Sequence, residues 1–209
     1  MTWLGRIPGD APSILNRCSR RVRINQHGFL LAAWLVCGLL LSGCASRPWT
    51  GPQAQMQSAA LSRRLCQLGD EVDPEESARL ARTAVKQSAV LAKQYRAVRP
   101  AWLGNCLVNL GLRQRGLCYD WANGLYPRLH ELGLHSLDLH LAVARMDTPH
   151  EHNCIVVTAH RQAFEKGVVL DAWRNSGRLW FGDVSTDKYP WQPLPHDRVP
   201  LELEKFFRD

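Results

Sequence analysis

Cys118, His152 and Asp171 follow one another along the chain at separations of 34 and 19 residues. Together they offer what thiol catalysis needs: a sulfur nucleophile, an imidazole to take and return a proton, and a carboxylate to orient the ring. The pattern predicts Cys118 at the start of a helix, His152 at the start of a strand and Asp171 on the next strand. Unpaired backbone N–H groups and the dipole at a helix N-terminus favour a thiolate. Neighbouring antiparallel strands can set an imidazole and a carboxylate side by side.

Each of these residues has a competing reading. Behind a cysteine at position 44, the chain carries Cys66, Cys106, Cys118 and Cys154. Four thiols allow three pairings in an oxidising compartment. A Cys66–Cys106 bridge leaves Cys118 free, whereas Cys118–Cys154 consumes it. His150 and His140 compete with His152, which is favoured because it directly abuts the strand-like run NCIVVTA. His150, Glu151, His152 and Cys154 are also conceivable zinc ligands, although their spacing fits no closed zinc motif. Asp171 ends the apolar run Val168-Val169-Leu170, where a carboxylate needs a partner. Asn105, Gln114 and the backbone N–H of Cys118 are the candidate oxyanion donors.

The surrounding elements predict an α+β domain. Leu61, Leu65 and Leu68 recur at helical spacing, and a second helical run extends to Val98, with a break around residues 69–73. Asp73-Pro74-Glu75-Glu76 is a helix start, with Asp as cap and Pro in the first turn, and Pro100 is read as the end of that helix. Residues 101–115 read as loop with one short helix. Leu117, Trp121, Leu125 and Leu129 share one face of a helix beginning near Cys118, with Pro127 awkward in its interior. Beyond Gly133 the period changes to two, giving strands at 137–143, 153–159, 167–173 and 178–181, with a turn at Asn175-Ser176-Gly177. Helices first and an antiparallel sheet afterwards is the α+β order. Trp121, Trp173, Trp180 and Trp191 are expected in the core and along the groove. The Pro-rich stretch 189–200 is expected to wrap the surface, and 201–207 to close the chain as a short amphipathic segment.

The 209 residues are 45% hydrophobic and 22% charged, the composition of one globular domain rather than a disordered, collagenous, coiled-coil or polytopic membrane chain. Five arginines and one aspartate within the first 23 residues hold most of the formal +7. No basic stripe interleaved with aromatics follows, which argues against a nucleic-acid partner. Gly28 to Leu41 is uncharged and apolar but short of the roughly 20 residues that a membrane span needs, the pattern of a secretory signal behind a basic region. An uncleaved signal anchor is the alternative.

Leu41-Ser42-Gly43-Cys44 resembles the bacterial lipobox, which implies diacylglycerol on Cys44 and cleavage before it. The expected organisation is a signal peptide at 1–43, a lipidated tether at 44–57 and one domain at 58–209. Ala45, not Asp, follows the cysteine, so the resemblance implies the periplasmic face of the outer membrane, with the membrane itself a partner through the lipid anchor. Gly116-Leu117-Cys118, the helix carrying Ala122 and Leu125, Leu132-Gly133, His152 and Asp171 together resemble the transglutaminase-like branch of the papain-like cysteine fold over residues 101–185. The chain departs from that pattern at Asn153-Cys154, where an aromatic is common, and at Ala172-Trp173, where Pro or Thr is. The resemblance implies a thiol-dependent amide hydrolase or acyl transferase acting on a peptide or protein, without a cofactor, and location suggests cell-wall peptide. The rival expectations are a noncatalytic envelope scaffold and a zinc hydrolase.

Overall fold

A computed structural model describes residues 51–207, and the signal segment and Cys44 lie outside the described residues. Among the described residues, four helices precede a five-stranded antiparallel sheet. The helices are α1 (Pro52–Cys66), α2 (Pro74–Gln94), α3 (Ala101–Asn109) and α4 (Cys118–His130). The strands are β1 (Leu137–Ala144), β2 (His152–Ala159), β3 (Val168–Asp171), β4 (Trp180–Asp183) and β5 (Trp191–Pro193), in the spatial order β4-β3-β2-β1-β5. Among the described residues no helix is long and apolar enough to cross a membrane.

Local chemistry sets these boundaries. Asp73 caps α2 by accepting the Glu75 N–H at 2.7 Å, as its sequence signature requires. The helix ends at Gln94, short of Pro100, because Arg96 turns into the left-handed region (φ 49°) and Ala97 N–H returns to the Ala92 carbonyl. Pro100 instead opens α3, in a stretch expected to be mostly loop. Likewise α1 begins at Pro52 rather than in the region of residue 58, so residues 52–57 of the expected tether are helical. Proline in the first turn starts a helix, since the N–H it lacks would have had no partner there. Pro127 lies inside α4 without ending it. Burial of Leu125, Tyr126 and Leu129 around it offsets a penalty of about 3 kcal/mol.

The sheet separates two apolar clusters. Toward the helices, Leu141, Ile155, Val157, Val168 and Leu170 meet Leu61, Leu65, Leu80, Leu91, Trp121, Leu125 and Leu129. On the opposite face Ala142, Ala144, Cys154, Val156 and Val169 pack with Phe164, Val184 and Trp191. Strand alternation sends His152 and Asp171 to this second face, while α4 packs on the first. The loop after Asp171 is pinned to α2: Gly177 adopts φ 94°, and a Cβ there would meet Ala92 Cβ at 2.3 Å. Ser176 Oγ, next to it, donates to the Val98 carbonyl at 2.7 Å.

Candidate active site

Gly116 brings the chain into α4 with φ 141°, a conformation that costs a glycine little. Asp120 then reaches back from the first turn, its Oδ2 accepting the N–H groups of Gly116 at 2.8 Å and Leu117 at 3.0 Å. Trp121 Nε1 donates to the Gly116 carbonyl at 3.0 Å, which fixes the turn from the core side. Cys118 is thereby the first residue of a rigid helix, and its own N–H has no carbonyl partner within that helix.

The β2–β3 register pairs Val156 with Val169 and Ile155 with Leu170. Continued by one pair, it sets Asp171 opposite Cys154 and one pleat away from His152, on the same face. His152 Nε2 and Asp171 Oδ2 are 2.7 Å apart, with the two residues 3% and 1% exposed. That contact takes one ring nitrogen and leaves Nδ1 for the sulfur. Cys118, 9% exposed, arrives around the start of β2: its Sγ lies 3.7 Å from the Glu151 carbonyl and 3.9 Å from Asn153 Nδ2. Burial by itself pushes the imidazolium pKa down. Hydrogen bonding to Asp171 and to Cys118, reinforced by both charges, overcomes burial and raises it from 6.5 to about 9. For Asp171 burial likewise opposes the charged form, and the His152 hydrogen bond with the His152 and Arg174 charges holds its pKa below the ordinary value. The ring is therefore held as an imidazolium near neutral pH.

No family model, curated protein or solved structure matches the chain. What this site can do therefore follows from its own geometry.

Arg174 is the site residue that the sequence reading missed. Its Nε donates to Asp171 Oδ2 at 3.0 Å and its backbone N–H to Oδ1 at 2.9 Å. Its other two nitrogens clasp Asp187 at 3.0 and 2.7 Å, and Trp191 Nε1 adds a 2.7 Å donor to the same carboxylate. The guanidinium lies 3.6 Å above the Trp180 ring, and each member of the line His152–Asp171–Arg174–Asp187 is partnered by the next. An arginine three residues beyond Asp171 was the visible signal. Asp187 carried none, being brought in by the fold from a stretch without pattern. The rings of Trp173, Tyr189 and Trp191 surround the imidazole at 4.8, 4.7 and 5.3 Å and shield it from water.

The competitors are placed elsewhere. His140 Nε2 meets Thr158 Oγ1 at 3.0 Å within the sheet, and His150 is exposed in the loop before β2. Cys66, Cys106, Cys118 and Cys154 are all free thiols, so neither bridge considered from the sequence is formed. Cys154 is wholly buried, which pushes its pKa well up and leaves it an inert packing group. Among the described residues no group of three or more His, Cys, Asp or Glu could hold a metal ion, the His150–Cys154 stretch included. Asn105 Oδ1 accepts from Trp173 Nε1 at 2.9 Å, and Gln114 is exposed on the wall of a separate cavity. The amide aimed at the sulfur is instead that of Asn153, which also donates to Glu151 Oε1 at 3.1 Å.

Proposed function

We propose that this chain is a thiol-dependent amide hydrolase or acyl transferase of the transglutaminase-like type, acting on peptides or proteins. It works as a lipoprotein held through Cys44 at the periplasmic face of the outer membrane. The observation that carries the reading is the buried 2.7 Å His152–Asp171 contact beside a free cysteine at a helix N-terminus. An α+β order of helices followed by an antiparallel sheet supports it.

In this mechanism Cys118 Sγ, its proton passed to His152 Nδ1, attacks the amide carbonyl carbon. The tetrahedral oxyanion draws on the Cys118 backbone N–H and on Asn153 Nδ2, the donors nearest the sulfur. Collapse breaks the C–N bond, His152 returns the proton to the leaving amine, and a thioester remains on Cys118. Water or a second amine, deprotonated by His152, then attacks the thioester and restores the thiol. Asp171 stays ionised throughout and Arg174 holds it, so neither moves a proton.

The test is alkylation by iodoacetamide at pH 7 with every modified thiol located by mass spectrometry. Cys118 reacts in the wild type and slows by about tenfold or more in His152→Ala, the scale of a lost proton acceptor. Equal rates in the two proteins would sink the enzyme reading and favour a noncatalytic scaffold. Lipidation is read in the same experiment as a diacylglycerol mass on the N-terminal peptide that disappears in Cys44→Ala.

A further inference from the structure

A cavity of about 540 Å³ is lined by Gln94, Tyr95 and Arg96 at the end of α2 and by Arg113, Gln114 and Arg115 in the segment before Cys118. Three guanidiniums and two amides face it, and no carboxylate does. None of the three arginines forms a salt bridge among the described residues. The nearby acids are already engaged: Asp120 accepts the Gly116 and Leu117 N–H groups, and Glu202 accepts from Asn123 at 3.5 Å.

Arg113 Nη1 donates to the Tyr95 carbonyl at 3.5 Å, and the Tyr95 hydroxyl, which Arg115 favours in its ionised form, donates to the Asp120 carbonyl at 3.0 Å. Burial and the facing charge of Arg96 both disfavour the cationic form of Arg113, the condition of like charges gathered without a counter-ion. Arg96 pays for its place in backbone terms, since it occupies the left-handed position at the end of α2 where glycine is the usual residue.

Position ties this cavity to the thiol. Arg115 precedes Cys118 by three residues, which limits their Cα separation to about 11 Å. Tyr95, Arg113 and Arg115 also line a small adjoining cleft with Trp173, whose ring packs 4.8 Å from that of His152.

We infer that the Arg96–Arg113–Arg115 cavity is a substrate subsite that takes a carboxylate of the peptide whose amide Cys118 attacks, making the substrate an acidic peptide. The inference rests on the thiol-amidase reading, and guanidinium forks match a carboxylate in shape as well as charge.

The test uses the full chain as wild type and as Cys118→Ser, so that binding is read with and without the nucleophile. Two peptide pools of equal length, one with glutamate fixed at the central position and one with glutamine, are titrated by calorimetry. The glutamate pool binds about tenfold more tightly, the worth of one charge-assisted hydrogen bond, and the preference weakens with added salt. Arg113→Gln abolishes the preference. Arg96→Gly reduces it while raising the melting temperature, a combination that general damage to the fold would not produce. Equal affinity for the two pools, or a preference that survives both substitutions, overturns the inference. Competition by inorganic phosphate where acetate at the same ionic strength has no effect would reassign the cavity to a phosphoryl group and overturn it as well. A glutamate preference in a protein whose Cys118 fails the alkylation test would leave the subsite standing and remove the amidase reading.

Discussion

Asp171→Asn keeps the size of the side chain and removes the charge on which the site depends. In the wild type the folded protein holds the His152 proton more tightly than the unfolded chain does, the pKa rising from 6.5 to about 9. At about 1.4 kcal/mol for each tenfold step, that rise corresponds to about 3 kcal/mol of stability. The sign follows from its direction. The contribution is fully present below pH 6.5 and is lost as the pH climbs through about 9. Without the Asp171 charge only Cys118 is left to oppose burial of the ring, and the pKa falls from its wild-type position. The variant should then lose less stability from His152 as the pH rises through the same range, flattening the slope. Two assays read this: urea denaturation of the full chain between pH 6 and pH 10, each curve referred to the matching His152→Gln protein to cancel other titrating groups, and NMR titration of the His152 ring. A wild-type ring titrating at or below 6.5, or an unchanged slope in Asp171→Asn, would refute the reasoning.

Arg174→Met should destabilise the protein by about 3 kcal/mol or more, because it leaves the 1%-exposed Asp171 and the equally hidden Asp187 side chain without their shared cation. Urea midpoints check this, and adding Asp187→Asn should return part of the loss by removing one of the orphaned charges. Glu76 is buried in α2 and accepts the N–H groups of His135 and Ser136, both at 2.8 Å, and the Ser136 hydroxyl at 2.7 Å. Burial raises its pKa, but those hydrogen bonds and the His135 charge prevail and hold it below 4.5. Glu76→Gln should therefore cost about 1–3 kcal/mol at neutral pH, as one amide hydrogen replaces an acceptor. That difference should shrink as the pH falls below 4.5, where the wild-type carboxylate takes up its own proton, and thermal unfolding at pH 7 and pH 3 measures both ends.

The residues that could be read in advance are those whose role is local. Asp73-Pro74-Glu75 announces α2 because cap, proline and acid act within one turn, and Cys118 opens α4 because the apolar spacing behind it is helical. His152 and Asp171 were legible because strand alternation and an antiparallel register are enough to bring them onto one face. Arg174 escaped although it is only three residues from Asp171, since its meaning depends on Asp187, which no periodicity connects to it. β5 escaped for a related reason: a three-residue edge strand ending in Pro193 carries too few residues to show a period, and its pairing with β1 is decided by the tail's packing. Asn105 shows the same limit, since proximity in sequence to Cys118 says nothing about where α3 points its amide, whose oxygen accepts from Trp173. The arginine cavity combines both kinds of information. Arg113 and Arg115 stand visibly beside Cys118 in the sequence, yet only the left-handed end of α2 brings Arg96 to meet them. The cluster is assembled from two segments distant in the chain, so neither segment read alone shows it.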